Sequence, residues 1–66
     1  MEAIDIWRTA TLLIRQHVDA AGFVAARRAD ELLTAGDHLG CSVWIKVGRA
    51  IGALRREKAR AGEAVN

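Results

Sequence analysis

Two side chains with demanding chemistry stand close together in this sequence: His38 and Cys41, spaced His-x-x-Cys at the start of a helical segment. An imidazole and a thiolate three residues apart on a helix share a face and can chelate zinc. A tetrahedral site wants four ligands. Only His17 and Asp37 are candidates to complete it, and neither adds a second thiolate. As a nucleophile and its base, the pair would need an orienting third group and a pocket with oxyanion donors, and short helices offer little concavity. A lone cysteine among apolar neighbours reads instead as a small buried hydrophobe. His17, at the end of the first apolar stripe, reads as a partly buried structural histidine. Trp7 and Trp44, centred on their stripes, read as core aromatics rather than ligand-stacking residues. The expectation is a non-enzymatic chain with no catalytic residue, no metal and no cofactor.

Charge is the next chemical resource. The 66 residues carry a net charge of +2, unevenly placed. Up to residue 45 there are four arginines against six carboxylates, and from residue 46 six cations against two carboxylates. Lys46, Arg49, Arg55, Arg56, Lys58 and Arg60 form a candidate basic patch. Such a patch attracts an acidic partner or a phosphate backbone. It also suits the negative end of a helix dipole, where cations are favoured without any partner.

The elements that position these groups follow from composition and periodicity. The chain is 52% apolar, much of it alanine, with no proline, so helices are favoured over strands. In the first helix, about Ala3 to His17, Ala3, Ile6, Trp7, Ala10, Leu13, Ile14 and Val18 make one stripe, and Leu12 points to the polar side. Asp19 is a candidate N-cap for a second helix to about Ala35. The stripe expected there is Gly22, Ala25, Ala26, Ala29, Leu32 and Leu33, with Phe23 at its margin. Gly36 suits the left-handed position that ends a helix, and Asp37 is a candidate cap for the next. The third helix, from about Leu39 to Arg56 or beyond, has a wide arc of Val43, Trp44, Val47, Gly48, Ile51 and Leu54, broadening to Cys41 and Ile45. Gly48-x-x-x-Gly52 marks a close helix approach. A tetratricopeptide array is excluded because it needs about three repeats. Helix three opens with Cys41, Val43, Trp44 and Ile45, which argues against a DNA-reading helix.

The chain resembles a family of short, functionally uncharacterised helical proteins of alphaproteobacteria. The resemblance is carried by Asp5-Ile6-Trp7-Arg8-Thr9-Ala10 and Leu13-Ile14, by Phe23-Val24-Ala25-Ala26 with Arg28-Ala29-Asp30, and by Gly36-Asp37, Gly40-Cys41 and Val43-Trp44 with Ala50-Ile51 and Leu54. It spans roughly residues 4 to 54. It implies a free-standing small helical protein and transfers no activity, cofactor or site residue.

The expected architecture is all-α: one compact three-helix domain over residues 1–58, helices two and three forming an antiparallel hairpin, and a frayed tail over 59–66. No apolar run approaches the roughly 20 residues that span a bilayer, and the start of the chain lacks a secretory pattern. A cytoplasmic chain that does not enter a membrane is expected. A domain this short buries little core, and one cysteine makes no internal disulfide. The expected function is a small interaction or adaptor module that binds a partner protein or itself, as a homodimer or larger homo-oligomer. Val43, Ile45, Val47 and Ala50 are its candidate surface. The alternative is non-specific nucleic-acid binding through the basic C-terminal third.

Overall fold

Alanine loses no side-chain rotamer freedom in a helix, and its small side chain lets helices approach closely. Both properties shape this chain. A computed structural model describes residues 2–65, and the side chains of residues 2–60. The described residues are helical apart from the first residue and one short turn. The order is α1 (Ala3–His17), a 3-10 turn (Val18–Ala20), α2 (Ala21–Thr34) and α3 (His38–Val65). The part of the expected frayed tail beyond Arg60 lies outside the described side chains, and Asn66 lies outside the described residues altogether.

The join between α1 and α2 is tighter than the sequence suggests. No loop separates them; the backbone stays helical from Ala3 to Thr34 except at Val18, whose φ of 48° is left-handed. A β-branched residue there is strained. Asp19 makes no capping hydrogen bond to α2, because the 3-10 turn already pairs the chain at this point: the Ala21 N–H donates to the Val18 carbonyl. The Arg55 guanidinium of α3 also donates to that carbonyl, tying the strained join to the third helix.

The turn between α2 and α3 follows the expected punctuation. Gly36 takes a φ of 83°. Its N–H donates to the Leu33 carbonyl at 3.0 Å, and the Asp37 N–H reaches the Leu32 carbonyl at 2.8 Å. These two bonds satisfy carbonyls left free at the end of α2. Asp37 then caps α3, its Oδ1 accepting from the Gly40 N–H at 2.8 Å. The carboxylate lies so close over Gly40 that a Cβ there would stand 2.5 Å from Oδ2.

The core lies where α3 meets α1 and α2, and small residues fill much of it. Ala10, Leu13, Ala21, Ala25, Val47, Ala50 and Ile51 form its buried cluster, with Ile6, Ile14, Val24, Trp44 and Leu54 packed around it. Among the described residues, Ile51 and Val47 are the largest side chains that are fully enclosed. Along α2 the buried line is Ala21, Ala25 and Ala29. It is turned from the expected stripe, leaving Ala26 and Leu33 exposed. Trp7 is also displaced from its expected central place and is 45% exposed. The contact of α1 with α3 runs through Ala10 and Leu13, which puts Trp7 at the margin. His17 is exposed rather than partly buried.

The molecule measures 47 × 23 × 15 Å with a radius of gyration of 12.9 Å. A compact domain of this length would have a radius near 11 Å. The excess over the expected compact shape comes from α3, whose 28 residues extend for about 42 Å.

Gly36→Ala is expected to cost about 1 kcal/mol, since alanine resists the left-handed turn, and Asp37→Ala a similar amount. Gly22→Ala, in a helix with open space around the new Cβ, should gain about 0.5–1 kcal/mol. Urea denaturation of the three variants checks these opposite signs. Ile51→Ala should cost about 2–4 kcal/mol, well above the loss from Trp7→Ala. Equal melting temperatures for those two variants would contradict the packing described.

Candidate functional site

The candidate surface on α3 separates into two parts. Val47 and Ala50 are covered by the chain's own helices, at 0% and 5% exposure, so neither is free to meet a partner. Val47 lies at the centre of the buried cluster, and Ala50 lies toward α1, beside Ile6 and Trp7. Val43 is half-buried and Ile45 is exposed. Of the four expected residues, Ile45 is the one that presents a surface, with Val43 at its edge.

The basic residues also divide. All six are exposed. At 100° per residue, Lys46, Arg49, Arg56 and Arg60 fall within one narrow strip of α3, whereas Arg55 and Lys58 point elsewhere. Arg49 and Arg56 form a ridge between two grooves. On the α1 side, Ala3, Ile6, Trp7, Ala50 and Ala53 line a shallow groove of about 360 Å³, edged by Lys46, Arg49 and Arg56. On the α2 side, Gly22, Ala26, Trp44, Ile45, Gly48 and Gly52 line another of about 400 Å³, edged again by Arg49 and Arg56. The Arg56 guanidinium lies over Gly52, 3.5 Å from where a Cβ would stand. Neither groove contains a carboxylate. Among the described residues the ion pairs join Arg27 and Arg28 to Glu31, at 3.6 and 3.5 Å, and none involves the ridge.

Arg55 and Lys58 belong to a separate hollow with Ile14, Val18, Asp19 and Ala59. There Arg55 has the structural role of holding the Val18 carbonyl.

A third surface escaped the sequence pattern. The outer face of α1 carries Ile4, Trp7 and Leu12 around Arg8, Thr11 and Arg15, bordering another shallow depression. Leu12 was expected to face away from the core, and does. Ile4 lies with it, at 59% exposure. The i, i+3 spacing of Ile4 and Trp7 and the i, i+8 spacing of Ile4 and Leu12 are the signals that place them on one side of α1, interrupted by Arg8 and Arg15.

His38 and Cys41 do not form a pair at the surface. His38 is exposed at the start of α3, while Cys41 is buried. Among the described residues, no three or more His, Cys, Asp or Glu side chains gather as a metal site would require. Asp37, the other nearby ligand candidate, is engaged in capping Gly40. No described helix is long and apolar enough to cross a membrane.

Burial makes Cys41 slow to react: native protein should modify with a maleimide far more slowly than urea-unfolded protein. Rapid stoichiometric labelling of the folded chain would show that the thiol is presented to solvent. Compared with known proteins, the chain matches no protein-family model, no curated protein and no solved structure.

Proposed function

We propose that this chain is a non-enzymatic helical interaction module that associates with a partner protein or with itself. In this reading α2 and α3 pair as an antiparallel hairpin and α1 lies across it, a three-helix unit whose outer faces do the binding. The observation that carries the reading is an inverted distribution of apolar bulk. Among the described residues, alanine supplies five of the nine buried apolar positions, while Ile4, Trp7, Leu12, Val18, Phe23, Leu33, Leu39 and Ile45 are all exposed. Scattered exposed leucines need no explanation. Here, however, Ile4, Trp7 and Leu12 border one depression on α1, and Trp7 and Ile45 flank one basic ridge. Exposed apolar side chains gathered among polar ones in this way mark interaction sites.

Nucleic-acid binding is the second reading, supported by the strip of Lys46, Arg49, Arg56 and Arg60. Phosphate contacts weaken steeply with added salt, and contacts through apolar faces do not.

Light scattering across a concentration series, with affinity capture on the full chain, tests the proposal. Ile4→Glu with Leu12→Glu alters one exposed face, and Phe23→Glu with Ile45→Glu another. Helicity should stay at the wild-type level in both. At least one pair should abolish assembly or partner capture. A wild-type chain that stays monomeric and captures no protein, or association untouched by both pairs, would sink the reading.

A further inference from the structure

We propose that the Arg49–Arg56 ridge of α3, with the apolar grooves on either side, is the docking site for an acidic amphipathic helix of another protein. The proposal rests on the interaction-module reading above and names the surface and the chemistry of the partner.

The argument begins with spacing. Arg49 and Arg56 are seven residues apart, two helical turns, and stand about 10.5 Å apart along the axis of α3. Lys46 extends the same strip by nearly one turn. A partner helix lying alongside α3 repeats its own faces at that interval. Carboxylates seven residues apart would therefore meet both arginines while apolar side chains between them enter a groove. The grooves suit this occupant. Apart from the cations, their walls are apolar: Ile6, Trp7 and Ala53 on one side, Ile45, Gly48 and Gly52 on the other. The small residues let a second backbone approach closely, and Trp7 supplies an anchoring ring at the edge.

Charge decides between occupants. Among the described residues, Lys46, Arg49 and Arg56 face no carboxylate within either groove, so an acidic partner would supply the complementary charge. A second copy meeting this face across a two-fold axis would set arginine against arginine. A nucleic-acid strand would find the cations, but no hydroxyl or amide side chain lines either groove to satisfy its polar groups. Nucleic-acid interfaces are predominantly polar and wet, whereas these walls are apolar apart from the cations.

The full chain, immobilised through its terminus, is used to select from a display library of amphipathic helical peptides with one fixed apolar face and randomised exposed positions. Enriched peptides should carry Asp or Glu seven residues apart. The selected peptide should bind Arg49→Glu/Arg56→Glu at least about tenfold more weakly. Replacing its carboxylates with lysine should restore binding to that variant. Both arginines are exposed, so the variant should keep its helicity. Enrichment without acidic bias, absence of any binder, or binding indifferent to the charge reversal would overturn the proposal. So would a polythymidine strand binding the ridge more tightly than the selected peptide. Self-association by light scattering that disappears with the charge reversal would assign the face to a second copy. If association instead depends on Ile4 and Leu12 and ignores Arg49 and Arg56, the interaction module stands and this docking site falls.

Discussion

The close approach of α2 to α3 is the constraint from which the rest of the structure follows. It is set by Ala21, Ala25 and Ala29 on one helix and by Val47, Gly48 and Ile51 on the other. The Ala25 Cβ lies 3.9 Å from the position a Cβ would take at Gly48, an ordinary van der Waals distance. A larger side chain at either place would wedge the helices apart. With them held close, two modest residues, Val47 and Ile51, suffice to fill the centre. The same economy leaves Ile4, Trp7, Phe23 and Ile45 outside. The exposed apolar surface is thus the complement of the alanine core.

The turn and the join that bracket α2 contribute differently. At Gly36 and Asp37, residue types and geometry agree: glycine takes the left-handed φ and aspartate caps the next helix. At Val18 they disagree, since valine holds a backbone conformation suited to glycine. The Arg55 guanidinium engages the carbonyl of this residue. Strain of this kind persists only where surrounding contacts over-determine the backbone. One of the six basic residues is thereby committed to the fold, and the strip that remains open for binding is narrower than the charge count implies.

How much of this was legible in the sequence depended on whether a residue carried direction as well as hydrophobicity. The ends of α2 and α3 were legible because Gly36 and Asp37 each have a specific backbone task. The all-helical character was legible from alanine content and the lack of proline. The rotation of α2 was not: Ala20, Ala21, Ala25, Ala26 and Ala29 surround the axis, so the pattern barely distinguishes the buried side, and Ala21 and Val24 were overlooked. Trp7 was placed in the core by its bulk, although Ile6, Ala10 and Leu13 define a slightly different centre for α1. The candidate surface on α3 erred for the same reason. The apolar arc of α3 does not say which of its members the other helices cover, and Val47 and Ala50 are among those they do.

The alanine core also has a thermodynamic consequence. The heat-capacity change of unfolding grows with the apolar area newly hydrated. The methyl groups of five buried alanines release little such area, so their contribution to the curvature of stability with temperature is small. Ile4, Leu12, Phe23, Leu39 and Ile45 already meet water in the folded chain and add little to that change. Their heat-capacity signature belongs to association: covering Trp7, Ile45 or Leu12 would make complex formation, rather than folding, the step whose enthalpy varies most steeply with temperature.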